Sequence, residues 1–152
     1  MNKFISRSSQ ILLLLLALLV FPVATYAQNT DPTRWEETMQ RFEQQDLLDP
    51  PPEGAILLTG SSSIARWNDQ AATALAPLTV IPRGFGGSVM GDVLYHLERV
   101  ALKYKPRAVL IYEGDNDTSY GIPENKILGQ LKQIIAKIHD QLPTARIYVM
   151  SV

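Results

Sequence analysis

The residues predict an α/β domain built on a parallel sheet, and three observations carry that expectation. Four short apolar runs, Ala55 to Leu58, Leu78 to Ile81, Ala108 to Tyr112 and Arg146 to Met150, read as strands buried on both faces. Amphipathic helical patterns, not hairpin turns, separate them, so consecutive strands require right-handed crossovers and an open sheet. The loops Gly60 to Ile64, Gly84 to Ser88 and Gly114 to Asp117 follow the first three strands, at the carboxyl ends where open α/β sheets gather ligands.

Lys3 and Arg7 precede an unbroken apolar run from Ile11 to Phe21, then Pro22 and a small-residue site at Thr25-Tyr26-Ala27. That is the layout of a secretory signal peptide, and the run falls short of the ~20 residues of a membrane span. Residues 1–27 are therefore expected to be removed on export to the periplasm or beyond, with no membrane span after cleavage. Within residues 28–54, Asp31 can cap a helix and Pro32 can open it. Trp35, Met39 and Phe42 recur at helical spacing as one stripe that packs on the domain, and Pro50-Pro51-Pro52 with Gly54 makes an extended linker.

Residues 55–152 hold the alternating strands and helices. Ile64 to Ala76 reads as the first helix; Val89, Val93, Leu94, Leu97 and Val100 mark the second; Ile127, Leu131, Ile134, Ile135 and Ile138 mark the third. Pro106 and Pro143 fall in the turns leading into the next strands.

Composition removes several function classes. The chain has no cysteine, which excludes both a disulfide framework and a thiolate metal site. Without Lys3 and Arg7, 12 basic residues remain against 15 acidic ones, a net charge of −3 with no basic cluster, so no nucleic-acid footprint is present. No cofactor is expected: Gly84-x-Gly86-x-x ends on Val89, where the dinucleotide fingerprint needs a small residue.

The three loops carry the chemistry. A serine between a strand and a helix projects its hydroxyl into the crevice, which points to Ser62 as a nucleophile. Gly86 and Gly87 let backbone donors approach a substrate closely. Asn116 offers two uncharged N–H donors, suited to a developing oxyanion. Each loop also has a plainer reading: a capped turn at Ser62, a glycine turn at Gly86, and a capped loop or cation site at Asn116 with Asp115 and Asp117.

In this order, Leu58-Thr59-Gly60-Ser61-Ser62-Ser63-Ile64-Ala65-Arg66-Trp67, Arg83-Gly84-Phe85-Gly86-Gly87-Ser88 and Tyr112-Glu113-Gly114-Asp115-Asn116-Asp117 resemble the SGNH or GDSL-type hydrolases, and more closely a bacterial exported subgroup. The resemblance implies a flavodoxin-like three-layer α/β/α fold and esterase or lipase activity on a small-molecule ester or an acylated lipid or sugar. It also implies Ser62 as nucleophile, with the N–H groups of Ser62 and Gly87 and the side-chain amide of Asn116 forming the oxyanion hole. Two departures stand out. Ser61 replaces the aspartate of Gly-Asp-Ser, and Pro82 stands where an asparagine often precedes the arginine-glycine pair.

The family's Asp-x-x-His motif, which supplies the rest of the triad, does not occur among these residues. Asp92 and His96, four apart on one helix face, are expected at the surface or rim, and His139 at the end of the sheet opposite the loops. The last strand and the helices that follow it in the family are also missing, so the chain is expected to be the front portion of a longer hydrolase. A non-catalytic binder that keeps the crevice is the alternative. A phosphate or nucleotide binder using Ser61 to Ser63 is disfavoured by the absent lysine and glycines.

Overall fold

A computed structural model describes residues 30–150; the expected signal peptide lies outside them. Among the described residues four parallel strands, β1 (Ile56–Gly60), β2 (Val80–Gly84), β3 (Ala108–Tyr112) and β4 (Arg146–Val149), form one sheet in the order β2-β1-β3-β4. The chain order reverses at β1, which places the switch point between the carboxyl ends of β1 and β3.

The strands run further toward those ends than their apolar residues indicate. β1 continues through Gly60, which pairs with both Gly84 and Tyr112. A side chain at Gly60 would lie 2.1 Å from the Tyr112 carbonyl oxygen, so only glycine permits this close approach. β2 is an edge strand among the described residues, and this is why Pro82 sits inside it opposite Leu58: the missing donor interrupts no ladder on the outer side.

Seven α-helices among the described residues flank the sheet: α1 (Glu36–Leu48), α2 (Ser62–Ala65), α3 (Ala71–Ala74), α4 (Met90–Tyr95), α5 (Leu97–Val100), α6 (Asp115–Ser119) and α7 (Glu124–Gln141). The expected helix from Ile64 to Ala76 is two short helices. Between them Asn68 turns back on β2, donating to the Gly84 carbonyl at 2.8 Å and accepting from the Gly84 N–H at 3.0 Å. The amide thus satisfies backbone that a continuous helix could not reach. The second expected helix breaks at His96, where the backbone leaves helical geometry.

Side chains of alternating direction divide the core into two layers. On one face Leu57, Ile81, Val109 and Ile111 are packed under Met39 and Phe42 of α1, Met90 and Val93 of α4, and Ile134 and Ile138 of α7. The other face carries Leu58 and Val80 under Ile64 and Ala71, with Ile56, Leu110 and Tyr112 only partly covered. Residues 32–48 therefore share the core of the sheet, as the apolar stripe predicts. Asp31 caps a 3₁₀ turn, Pro32–Trp35, by accepting from the Thr33 N–H at 2.9 Å.

Candidate functional site

Three loops converge beyond the carboxyl ends of β1, β2 and β3. Ser62 is the first residue of α2, directly past β1, and it is half-buried. The adjacent serines have other employment: Ser61 is fully buried with its hydroxyl donating to Asp115 at 3.0 Å, and Ser63 is exposed. Ser61 thus ties the first loop to the third.

The second loop lies against the first. A side chain at Gly86 would touch the Ser62 Cα at 3.5 Å and its Cβ at 3.6 Å. Gly87 adopts φ +95°, a left-handed conformation that favours glycine, and its open side faces the ring of Trp35, 3.8 Å from where a Cβ would stand. Trp35 in turn meets Phe85 edge-on at 5.4 Å.

Hydrogen bonds hold this loop at successive residues. The Asn116 side-chain amide donates to the Ser88 carbonyl at 2.8 Å. Ser88 Oγ bonds Glu113, the Val89 N–H donates to Asp92 at 2.9 Å, and the Met90 N–H donates to Asp117 at 3.0 Å. The second loop is therefore fastened to the third by three residues of Glu113-Gly114-Asp115-Asn116-Asp117. Asn116 spends one amide hydrogen on Ser88 and has a second to offer.

The acidic groups are turned inward. Asp115 accepts from Ser61 and from the Asn116 N–H, and Asp117 accepts from Met90. Among the described residues no cluster of three histidine, cysteine or acidic side chains is arranged to hold a metal ion. Burial raises the Asp117 carboxyl above its ordinary value against the opposing pull of the Met90 N–H, with Asp92 and Asp115 adding to the rise. Burial also pushes Glu113 up to about 9; the Ser88 bond opposes this, and the three neighbouring aspartates reinforce it.

The histidines need one correction. Asp92 and His96 do not form a surface pair: both are buried, at 0% and 2% exposure. Residues 32–35 cover them, which a reading of the helix face alone could not anticipate. Arg34 grips both oxygens of Asp92 and the Trp35 indole N–H donates to it at 3.1 Å, while His96 Nε2 bonds the Pro32 carbonyl at 2.8 Å. His139 bonds the Ala145 carbonyl just before β4, at the sheet end away from the loops. Neither histidine reaches Ser62.

Sequence reasoning missed Trp35, Arg34, Ser88 and Glu113 as members of this assembly. In the sequence Glu113 shows only as an acidic residue directly after an all-apolar strand. A groove of about 430 Å³, between the Pro50 to Pro52 linker and the outer edge of β2, holds none of the loop residues and is open to solvent. No helix among the described residues is long and apolar enough to cross a membrane.

Comparison with known proteins adds independent findings. The model of the GDSL-like lipase/acylhydrolase family matches residues 49–152. Platelet-activating factor acetylhydrolase IB subunit alpha1 of Bos taurus and of Homo sapiens are each 25% identical over 118 residues, covering 77% of this chain and 50% of theirs. The chain spans about half the length of the curated relatives it matches. Among solved structures, a Streptococcus pneumonia protein named as a candidate platelet activating factor superposes with a TM-score of 0.68 at 21% identity, over 97% of this chain and 62% of that one. A GDSL-like lipase of Bacteroides thetaiotaomicron gives 0.65 at 17%, over 75% and 58%. The psychrotrophic esterase EstA of Pseudoalteromonas sp., in a structure inhibited by monoethylphosphonate, gives 0.56 at 22%, over 66% and 60%. These likenesses show the fold, an α/β parallel sheet with flanking helices.

Proposed function

Because the chain belongs to the GDSL-like lipase/acylhydrolase family, matched over residues 49–152, we propose that it carries the nucleophile and oxyanion hole of an exported serine ester hydrolase. Ser62 Oγ attacks the ester carbonyl carbon, its proton passes to a base, the alcohol leaves, and water then releases the acid from the acyl-serine. The negative oxygen that forms in each addition is received by the N–H groups of Ser62 and Gly87 and by the free amide hydrogen of Asn116.

The observation that carries this reading is the fastening of the Gly87 loop to Asn116 beside Ser62. Ser62 abuts Gly86, and Asn116 holds the next turn of the same loop through Ser88. Donors held by neighbouring hydrogen bonds need no reorganisation when charge develops, which is the source of their catalytic value. Substrates would be small esters or acylated lipids or sugars, met outside the cytoplasm after removal of residues 1–27.

The base is the unsupplied part. His96 and His139 are the two histidines of the chain, and both are committed elsewhere. In a related chemistry, loss of the base costs about 10⁶ in kcat, leaving ~10³–10⁴ over water from binding and the oxyanion hole. These residues alone are therefore expected to hydrolyse esters slowly.

Fluorophosphonate labelling and p-nitrophenyl acetate hydrolysis test the reading. Both should be weak yet lost in Ser62→Ala, and Asn116→Ala should reduce them by the equivalent of about 2.7–4 kcal/mol. Labelling that persists in Ser62→Ala removes Ser62 from the mechanism. The export reading is tested by expressing the full chain in a bacterium and sequencing the exported form, which should begin at Gln28.

A further inference from the structure

We propose that Glu113 is a positioning residue of this site: its buried carboxyl group holds Ser88, and the Ser88 carbonyl fixes the side-chain amide of Asn116. The proposal rests on the oxyanion reading of Asn116 and goes beyond it by naming what sets the direction of that donor.

The geometry is a chain of three contacts. Glu113 is 4% exposed and follows β3 directly, just before Gly114. Its Oε1 bonds Ser88 Oγ, and the backbone oxygen of the same serine accepts from Asn116 Nδ2 at 2.8 Å. Ser88 is itself fully buried, so it has no water to substitute for either contact.

The remaining oxygen decides the protonation state. Among the described residues Oε2 is buried without a hydrogen-bond partner, and the charged groups facing Glu113 are carboxylates: Asp92 of α4, which Arg34 neutralises, and Asp115 and Asp117 of α6. An ionised carboxyl with an unpaired buried oxygen would face the full cost of desolvation, with no cation among those groups to offset it. The neutral acid avoids this. Ser88 Oγ donates to Oε1, which can accept in the neutral acid as in the anion. Burial and the neighbouring aspartates hold the carboxyl neutral until about pH 9, which agrees with this assignment.

A neutral acceptor also suits the task better than an anion. A further carboxylate beside Asp115 and Asp117 would add to the negative field that a developing oxyanion must meet. The protonated acid instead fastens Ser88 without adding charge.

The test uses the full chain and three variants: Glu113→Gln, Glu113→Ala and Ser88→Ala. The infrared difference between the parent and Glu113→Gln should show a protonated carboxyl band at pH 7 that disappears above about pH 9. The side-chain amide resonance of Asn116, assigned with Asn116→Asp, should shift in Glu113→Ala and Ser88→Ala and stay near its parent position in Glu113→Gln, whose amide oxygen still accepts from Ser88. Ser62-dependent labelling should fall about tenfold in the first two and be largely retained in the third. A carboxylate band at pH 7, or an Asn116 resonance unmoved in both Glu113→Ala and Ser88→Ala, overturns the proposal. Ser88→Ala keeps the test sharp if Glu113→Ala does not fold. Labelling that survives Ser62→Ala would sink the hydrolase reading alone, because the two spectra still judge Glu113.

Discussion

The two faces of the sheet are built to different standards, and the candidate site draws from both. The face beneath α1, α4, α5 and α7 is sealed: Leu57, Val109 and Ile111 are fully buried there, and the same side holds Asp92, His96 and Glu113 out of water. The face beneath α2 and α3 is half-covered, with Ile56, Leu110 and Tyr112 reaching its margin and Tyr148 half exposed. Ser62 opens α2 on the open face, whereas the Gly87 loop leads into α4 of the sealed one and Asn116, the second residue of α6, is bonded to that loop through Ser88. Two of the three proposed donors, Gly87 and Asn116, are therefore tied to the sealed layer, and Ser62, the proposed nucleophile and third donor, rides on the thin one. Precise placement matters most for groups that must meet a charge without moving, and the sealed face holds two of the three proposed here.

The comparison can be broken most severely at Asp92. This carboxylate is buried and shared among Arg34, the Trp35 indole and the Val89 N–H, so it joins residues 32–35 to the turn after Gly87. Arg34→Ala would leave the charge uncompensated, and such losses cost about 3–5 kcal/mol. Urea denaturation should show a fall of that size. A change below about 1 kcal/mol, the scale of an exposed pair, would mean that residues 32–35 are not part of the sealed layer.

Adjacent residues of β3 offer a sharper contrast. Ile111 is fully buried on the sealed face and Leu110 partly buried on the open one. Ile111→Ala should cost about 2–5 kcal/mol, because the cavity it leaves is enclosed by packed helices. Leu110→Ala removes a side chain that already meets solvent and should cost less than half as much. Equal losses in denaturation would refute the difference between the faces.

The buried acid gives the comparison a pH dependence. The ordinary value of the Glu113 carboxyl is 4.5 and burial raises it to about 9, so between these the folded chain retains a proton that the unfolded chain releases. Its contribution to stability is fully present below pH 4.5, is lost progressively as pH rises to about 9, and is constant above. The full span is on the order of a few kcal/mol. Thermal melts should show this decline in the parent chain and a flatter profile in Glu113→Gln. Identical slopes would place the ionised form of Glu113 in the folded state.

How much of this was legible in advance follows from the range of the interactions. The strands and the long helix α7 came from local apolar periodicity, which a window of the chain contains in full. The three loops stood out because glycine, serine and asparagine cluster directly after apolar strands, where the backbone must turn. What could not be read is contact between distant segments. Asp92 and His96 looked like a rim pair because the helix pattern does not reveal that Pro32 to Trp35, some sixty residues earlier, will cover them. The break of the first helix was hidden for the same reason: Asn68 bonds Gly84 across 16 residues. Glu113 reads as an interruption of an apolar run until Ser88 is placed beside it.

The smallest effect on stability is expected at the open edge. Among the described residues β4 has β3 on one side and no strand on the other, and Tyr148, Val149 and Met150 are each more than two-fifths exposed. An unpaired edge with apolar side chains is a template for pairing with another chain. Tyr148→Lys leaves the sealed core untouched and should change stability by no more than about 0.5 kcal/mol. It should nevertheless lower association, because a charged side chain on an edge strand opposes a second strand docking there. Light scattering against concentration checks this, with Lys132→Ala on the exposed surface of α7 as the control. If Tyr148→Lys associates as readily as the parent chain, the open face is not the adhesive one, and the contrast between the two faces is one of packing alone.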